Sequence, residues 1–321
     1  MKRISSELKD AKTIAIGGHV RPDGDCVCSV MALYRYLKKE LPEARIDAYL
    51  EEPPAAFRVL PGIENIKSEF DNKETYDIFF ALDCNEERLG EARPLFARAR
   101  RRINIDHHIS NAGCGDVNVV EPERSSTSEL LYELMEPELV DEEIAKAVYI
   151  GIAHDTGVFR YSNTSVRTME IAADLLKFGF DFSGLIEKTF YEKTYVQTQI
   201  MGRAILESIR FMNNKCIVSV VTRRMMEFYQ VGPKDLDGIV NQLQGVKGVE
   251  CAIFMYEIGT LSYKVSMRSN GLVDVAGVAV KFGGGGHLRA AGCTMNGTCH
   301  DNINNLSREI ASQLKKAQGQ I

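Results

Sequence analysis

Short apolar runs that end in acidic or imidazole side chains alternate with amphipathic stretches over the first half of the chain. We interpret Thr13–Val20, Tyr76–Asp83 and Arg101–His108 as buried strands, because parallel strands that are covered on both faces have nearly continuous apolar runs. Between the first two, Cys26–Glu40 repeats its apolar residues with the period of a helix. The alternation predicts an α/β fold whose N-terminal part is a doubly wound, mostly parallel sheet.

The remaining pattern adds two strands to this first part, at Arg45–Leu50 and Val117–Val120, and then becomes helical. Ser126 is the predicted cap of a helix that is followed by further helical segments at Asp141–His154, Ser165–Phe178 and, as one or two helices, Asp181–Glu207.

A second group of elements follows residue 215. The predicted elements are a strand at Cys216–Thr222, a helix at Pro233–Gln244, a hairpin of Cys251–Glu257 with Leu261–Arg268, and helices at Asp274–Lys281 and Asn304–Lys316. The chain is therefore predicted to have an N-terminal domain over residues 1–185, a helical linker over 186–214 and a smaller C-terminal α/β domain over 215–321. A cleft is expected between the two domains.

Composition limits the classes of function. Of the 321 residues, 45% are hydrophobic and 26% are charged, as in ordinary globular proteins. No apolar stretch approaches the roughly 18 residues that span a bilayer, and the opening MKRISSELKD lacks the apolar run of a secretory signal. We therefore expect a cytoplasmic protein with no membrane contact, whose eight scattered cysteines are reduced and mostly serve as packing residues.

The net charge of −5 argues against a protein that coats long duplex nucleic acid, because that binding rests on many phosphate contacts. A short anionic substrate remains compatible with this net charge, since metal cations and a local basic pocket can hold a few phosphates.

Acidic and histidine side chains follow the predicted strands at the points where the apolar runs stop. They are His19, Asp23 and Asp25, then Asp83, then Asp106, His107 and His108, and finally His154 and Asp155. The carboxyl ends of parallel strands meet at one edge of a sheet, where functional groups collect. Carboxylate oxygens suit Mg²⁺ and Mn²⁺, and imidazole shifts the preference towards Mn²⁺ or other transition metals. The number of ligands predicts two metal ions, with the central Asp83 between them.

A glycine run in the second domain is the other candidate site. Gly284, Gly285 and Gly286 are followed by His287 and Arg289, and Arg268 ends a predicted strand of the same domain. Consecutive glycines let backbone N–H groups approach an anion, and arginine offers a forked match to phosphate. These residues predict a phosphate-binding site, although a glycine run alone is more often a flexible turn.

Five segments together resemble the DHH phosphoesterases, over about residues 8–315. They are GGHVRPDGDCVCS, FFALDC, NIDHH, GIAHDTGVFRYSNT and FGGGGHLRAAG. The paired DHH and GGGH segments are similar to the two-domain subgroup, so residues 1–185 would be the catalytic DHH domain and residues 215–321 the DHH-associated, substrate-binding domain. The compact architecture resembles the bacterial nano-RNases that also act as phosphatases on 3′-phosphoadenosine 5′-phosphate (pAp).

The resemblance implies a role for each of these residues. One metal ion would be held by His19, Asp23 and Asp83, and a second by Asp25, Asp83, His107 and Asp155. Asp106 would orient the histidine pair from behind, and His108 would donate to a phosphate oxygen as charge builds up. The substrate would be gripped by Arg268, by the backbone of Gly284, Gly285 and Gly286, and by His287 and Arg289.

The function implied by the resemblance is that of a Mn²⁺-dependent phosphodiesterase, with Mg²⁺ or Co²⁺ as alternative ions. It would degrade very short single-stranded RNA to mononucleotides and also convert pAp to AMP. The alternative is turnover of c-di-AMP or of its linear product pApA, and a nucleotide sensor without catalysis is a third, weaker hypothesis. The sequence leaves open the preferred length, the cleavage polarity, the physiological metal, interdomain closure and whether a homodimer forms.

Overall fold

The computed structural model describes residues 3–70 and 75–318, except for the side chains of His287 and Gln318. The chain divides into two compact units, Met1–Glu192 and Lys193–Ile321. No helix among the described residues is long and apolar enough to cross a membrane.

The described residues of the first unit form six strands and six α-helices. Its strands are β1 (Thr13–Gly17), β2 (Arg45–Tyr49), β3 (Ile66–Lys67), β4 (Ile78–Leu82), β5 (Arg101–Asp106) and β6 (Val117–Val120). Its helices are α1 (Gly24–Glu40), α2 (Arg93–Arg98), α3 (Thr127–Leu134), α4 (Glu142–Asp155), α5 (Val166–Leu176) and α6 (Phe182–Ile186). A single π-helical turn, Glu187–Tyr191, follows α6.

The first sheet is parallel throughout, with strand order β3-β2-β1-β4-β5-β6. The chain proceeds outward from β1 to β3 and then crosses back to place β4 on the other side of β1. Ligand sites form outside the carboxyl ends of the strands at such a reversal. The predicted doubly wound α/β fold is therefore confirmed, and its reversal point lies between β1 and β4.

Both faces of this sheet are buried, which explains the nearly continuous apolar runs. Along β4, Ile78 and Phe80 pack into the core with α1, α3, α4 and α5. Phe79 points to the opposite face, where it packs edge-to-face against Phe96 of α2 at a centroid distance of 5.4 Å. Alternate residues of one strand thus serve two separate cores.

In the part of the second unit that the structure describes, a mixed sheet is combined with five α-helices. Its strands are β7 (Ile209–Phe211), β8 (Cys216–Val221), β9 (Cys251–Gly259), β10 (Ser262–Ser269), β11 (Gly285–His287) and β12 (Ala290–Asn296). Its helices are α7 (Tyr195–Leu206), α8 (Arg223–Tyr229), α9 (Ile239–Gln244), α10 (Val275–Lys281) and α11 (Cys299–Gln318). The strand order is β11-β12-β10-β9-β8-β7, and only the β8–β9 pair is parallel.

Strand β10 shows how the second sheet divides its faces. Tyr263, Val265 and Met267 are buried in the core with α10 and α11. The alternating residues Lys264, Ser266 and Arg268 are only partly buried and line a cavity of about 240 Å³. The helix-covered face therefore stabilises the unit, while the other face of β10 presents basic and hydroxyl groups.

Two predicted helices differ from the structure. Pro233–Gln244 is not one helix, because Gly238 has a φ of 89° and separates a 3₁₀ turn at Pro233–Leu236 from α9. The last helix begins at Cys299, five residues before the predicted Asn304. The sequence pattern also missed β3, β7, β11, β12 and α8, which are short or, in β12, carry small residues instead of an apolar run.

The buried aromatic of β4 gives a test of the first core. Replacing Phe80, which is 0% exposed, by alanine is expected to lower the free energy of unfolding by about 3–5 kcal/mol, because it leaves a cavity among packed side chains. Chemical denaturation followed by circular dichroism measures this change. Phe228→Ala is the matched control, since Phe228 is 79% exposed and its loss is expected to cost less than about 0.5 kcal/mol. Equal effects of the two substitutions would contradict the packing described here.

Candidate metal centre

The acidic and histidine side chains of the first unit are placed by the ends of β1, β4, β5 and α4. His19 lies two residues beyond β1, and Asp23 caps α1 by accepting from the N–H of Cys26 at 3.2 Å. Asp83 follows β4 directly and has a φ of 59°, in the left-handed region that non-glycine residues seldom adopt. Asp155 is the last residue of α4.

Asp83 is the centre of this group and is 1% exposed. Its Oδ2 lies 3.5 Å from Nε2 of His19, and its Oδ1 lies 3.6 Å from Nε2 of His107. Each imidazole faces a second carboxylate as well: Asp23 Oδ1 is 3.6 Å from His19 Nε2, and Asp155 Oδ2 is 3.4 Å from His107 Nε2. The two oxygens of one carboxylate therefore face two different imidazole–carboxylate pairs.

Backbone carbonyls set the tautomer of both imidazoles. Nδ1 of His19 lies 2.9 Å from the carbonyl oxygen of Val20, and Nδ1 of His107 lies 3.3 Å from that of Arg124. A carbonyl oxygen only accepts, so each Nδ1 must carry the proton. In the neutral imidazole the lone pair is then on Nε2, the atom that faces Asp83. Both histidines present a metal-binding nitrogen to the acidic group.

Asp106, the buried last residue of β5, organises the loop that carries the histidine pair. One of its oxygens, Oδ1, accepts from the N–H groups of His107 and His108 at 2.7 and 3.0 Å, and from Nδ1 of His108 at 2.7 Å. Burial disfavours the charged forms of Asp106 and His108. The hydrogen bond between their side chains outweighs burial, so the pKa of Asp106 is lowered and that of His108 is raised. Oδ2 accepts from the side-chain amide of Asn111.

The amino terminus of α3 contacts two of the carboxylates, and sequence reasoning missed this. The N–H groups of Thr127 and Ser128 donate to Asp25 at 2.7 and 3.0 Å, and Oγ1 of Thr127 donates to Asp83 at 2.9 Å. The first N–H groups of a helix have no partner within it and favour anions. The cap signature at Ser126 was the available signal, but it does not say which carboxylate the helix would meet.

The carboxylates affect one another strongly because they are close together and because two of them, Asp25 and Asp83, are buried. Burial and then the charge of Asp83 raise the pKa of Asp25 well above its ordinary value, and burial with the charges of Asp25 and Asp83 does the same for Asp155. The attraction between His19 and the more exposed Asp23 raises the pKa of His19, against the effect of burial, and lowers the pKa of Asp23.

This donor set fits divalent cations. Four carboxylates and two imidazole nitrogens converge, and burial, followed by the charge of the neighbouring carboxylates, raises the pKa values of Asp25 and Asp155. Among the described residues, three overlapping groups place their ligand atoms within 4.8 Å of one another. They are His19 with Cys26 and Asp83, then Asp83 with His107 and His108, and finally Asp25 with His107 and Asp155. Five of the six predicted metal ligands lie in these groups, and Asp23 lies beside His19. Cys26 and His108 are additions to the predicted set.

His154 packs against the turn that carries Asp23 and Asp25. A Cβ on Gly24 would lie 2.3 Å from Cγ of His154, so only glycine fits between the two acidic residues. The imidazole ring also contacts Phe57 and Phe190, at centroid distances of 5.0 and 5.2 Å. His154 therefore supports the acidic turn from the side.

The predicted substrate residues lie in the second unit, at one end of its sheet. Arg268 of β10 is in register with Ala290 of β12, which in turn pairs with His287 of β11. Nε of Arg268 donates to the side-chain oxygen of Asn241 at 3.1 Å, and Arg289 is exposed. The structure thus brings the arginines and the glycine run to neighbouring strands.

Two glycines of the run are required by the backbone itself. A Cβ on Gly284 would lie 2.2 Å from the carbonyl oxygen of Gly292, and one on Gly286, which has a φ of 144°, would lie 2.5 Å from that of Ala290. Close pairing of β11 with β12 therefore explains both positions. A Cβ on Gly285 would meet nothing within 4 Å, so that position is open to a ligand.

Curated relatives cover nearly the whole chain. It is 32% identical over 302 residues to the bifunctional oligoribonuclease and PAP phosphatase NrnA of Thermus thermophilus, covering 92% of this chain and 89% of the relative. It is 28% identical to the protein of the same name from Bacillus subtilis, covering 88% and 89% of the two chains.

Solved structures share the fold. An exopolyphosphatase-related protein from Bacteroides fragilis has a TM-score of 0.88 and 27% identity, covering 96% of this chain and 94% of that one. RecJ from Thermus thermophilus, solved in complex with Mn²⁺, has a TM-score of 0.56 at 14% identity over 97% of this chain and 54% of RecJ.

Two family signatures agree with the resemblance seen in the motifs. Residues 13–152 match the DHH family, N-terminal domain, and residues 213–316 match the DHHA1 domain. The first match lies in the first unit and the second in the second unit. With both signatures present and a relative above 30% identity over most of each chain, this protein belongs to the DHH phosphoesterase family.

Proposed function

We propose that this protein is a Mn²⁺-dependent phosphodiesterase that degrades very short oligoribonucleotides to mononucleotides and converts pAp to AMP. The observation that carries the proposal is the position of Asp83, whose two oxygens face two different imidazole–carboxylate pairs. The names of the curated relatives support the substrates, since two of them are called bifunctional oligoribonucleases and PAP phosphatases.

In this proposal His19, Asp23 and Asp83 hold one ion, and Asp25, Asp83, His107 and Asp155 hold the other. When bound, two such ions supply Lewis-acid stabilisation and an activated water for an in-line phosphoryl displacement. A mixture of carboxylate and imidazole donors favours Mn²⁺ over Mg²⁺, because nitrogen is a softer ligand than oxygen.

The protein's own groups orient the reaction. Asp106 fixes His108 through Nδ1, which leaves the other ring nitrogen of His108 to donate to a phosphate oxygen as negative charge develops there. Thr127 and Ser128 fix Asp25. Water adds to the scissile phosphorus, and the leaving nucleoside oxygen takes up a proton, so pAp and water give AMP and inorganic phosphate.

The second unit is proposed to bind the phosphorylated end of the substrate. Arg268 and Lys264 line the cavity beside β10, and Arg289 and the backbone at Gly285 are exposed near the same end of the sheet. Together they supply positive charge and backbone N–H groups to a short anion. We place the working protein in the cytoplasm, where such short RNA fragments arise.

Asp83→Ala is expected to lower turnover of dimeric to pentameric RNA and of pAp by about 10³-fold or more, because it removes the shared ligand. The protein, purified with Mn²⁺, is assayed on these substrates, on pApA, on c-di-AMP and on a 24-mer, with bound metal measured in parallel. Asp116→Ala is the control, since Asp116 forms an ion pair with Arg102 at a distance of 2.7 Å and does not belong to the group around Asp83. Inactivity of the unaltered enzyme on every substrate would refute the function, and faster cleavage of c-di-AMP than of pApA would favour the cyclic-dinucleotide alternative.

The raised pKa of Asp155 predicts a pH-dependent effect on stability without metal. A carboxyl group whose pKa is raised by folding destabilises the protein once the pH exceeds the ordinary carboxyl pKa of about 4. Metal-free Asp155→Asn should therefore melt about 2 °C or more above the unaltered protein at neutral pH, and the difference should vanish as the pH falls below that value.

Thermal unfolding in chelator over a pH series measures this, and Asp116→Asn provides a control of opposite sign. Hydrogen bonding to Arg102 lowers the pKa of Asp116, so its replacement should destabilise the protein at neutral pH. If Asp155→Asn and Asp116→Asn shifted the melting temperature in the same direction, the repulsion between Asp155 and its neighbouring carboxylates would be disproved.

Arg289→Ala is expected to raise KM for substrates with a terminal phosphate by about tenfold, the effect of losing one charge-assisted hydrogen bond. Its kcat should change little, because Arg289 is assigned to binding. Steady-state kinetics on phosphorylated and dephosphorylated dinucleotides separate the two constants. Arg224→Ala, at an exposed arginine of α8, should change neither constant, and a fall confined to kcat in Arg289→Ala would contradict the assigned role.

A further inference from the structure

Cys26 lies inside the proposed metal centre. It is in the first turn of α1, next to Asp25, and is 0% exposed. Its sulfur, a ring nitrogen of His19 and a carboxylate oxygen of Asp83 all lie within 4.8 Å of one another. Atoms bound to one ion are separated by comparable distances, so the sulfur is within reach of the ion that His19 and Asp83 would hold.

The surrounding backbone holds the sulfur in this place. The N–H of His19 donates to Sγ of Cys26 at 3.2 Å. A Cβ on Gly18 would lie 2.3 Å from the same sulfur, so the glycine lets Cys26 rest directly against the end of β1. A backbone N–H that points at sulfur is a partner that stabilises a metal-bound thiolate, as hydrogen bonds around a metal site generally do for its ligands.

The other buried cysteines near the centre are placed differently. Cys28 lies two residues further along α1, and Cys84 directly follows Asp83. Both are fully or almost fully buried, yet neither belongs to a group of converging ligand atoms among the described residues. Proximity in sequence to a metal ligand therefore does not explain the position of Cys26.

We propose that Sγ of Cys26 is a further ligand of the ion held by His19, Asp23 and Asp83, and that it makes this position selective for thiophilic cations such as Co²⁺, Zn²⁺ and Cd²⁺. The inference rests on the proposed metal centre. On binding, the thiol releases its proton to solvent and the sulfur donates an electron pair to the cation. The position would then offer sulfur, nitrogen and oxygen donors, whereas the position at Asp25, His107 and Asp155 offers nitrogen and oxygen alone.

Cobalt gives a direct readout of sulfur coordination that does not depend on activity. Metal-free protein titrated with Co²⁺ should develop a near-ultraviolet sulfur-to-cobalt charge-transfer band together with the weaker visible bands of bound cobalt. Cys26→Ala should keep visible bands but lose the charge-transfer band, and the control Cys84→Ala should keep both. Cys26→Ser, which nearly preserves the side-chain volume, repeats the test should the alanine variant fold poorly.

Comparing the affinities for two ions tests the selectivity. Cys26→Ala and Cys26→Ser are expected to bind Cd²⁺ at least about tenfold more weakly, while their affinity for Mn²⁺ changes by less than about threefold, since Mn²⁺ prefers harder ligands. Isothermal titration of each ion into the metal-free protein measures both.

Each outcome separates the inference from the proposed function. Visible cobalt bands without a charge-transfer band in the unaltered protein, or a charge-transfer band that survives Cys26→Ala, would overturn the role of Cys26 and leave the metal centre intact. Absence of any bound cobalt or manganese would overturn the metal centre, and with it both proposals.

Discussion

The repulsion among four acidic side chains at the ends of β1, β4 and α4 is the constraint around which the first unit is organised. Asp25 and Asp83 are almost fully buried, and the crowding is visible in the raised pKa values of Asp25 and Asp155. A protein does not bury such charges together without compensation. Here the compensation for the buried negative charge comes from imidazole rings, from the amino terminus of α3 and, in our proposal, from divalent cations.

The parallel topology is what makes this crowding achievable. Reversal of the strand order between β1 and β4 brings two strand ends side by side, and β5 adds the histidine pair next to them. The second unit has the opposite character at its exposed sheet face, where Lys264 and Arg268 alternate along β10. The acidic group and this strand face thus belong to different units, each with its own core.

Much of the first unit could be predicted from the sequence because its information is local. Strands that are buried on both faces have nearly continuous apolar runs, so these runs located β1, β4 and β5 and the polar residues that follow them. The α/β class and the family followed from the same segments, and both are confirmed. The roles given to individual ligands stay predictions.

The features that sequence reasoning missed depend on contacts between distant segments. Thr127 meets Asp25 across about one hundred residues, and no periodicity announces that meeting. Gly238 divides a helix whose apolar spacing continues past it, because the left-handed φ of one residue outweighs the pattern. Cys26 has the burial of any core cysteine, and only the position of the His19 ring distinguishes it.

The attachment of Asp25 to the first N–H groups of α3 has a consequence for how the site forms. Both oxygens of this carboxylate are oriented by the backbone N–H groups of Thr127 and Ser128. The rotational freedom of the side chain is therefore lost during folding instead of during capture of a cation. A cation bound in the proposed centre would therefore meet a preorganised acceptor at Asp25.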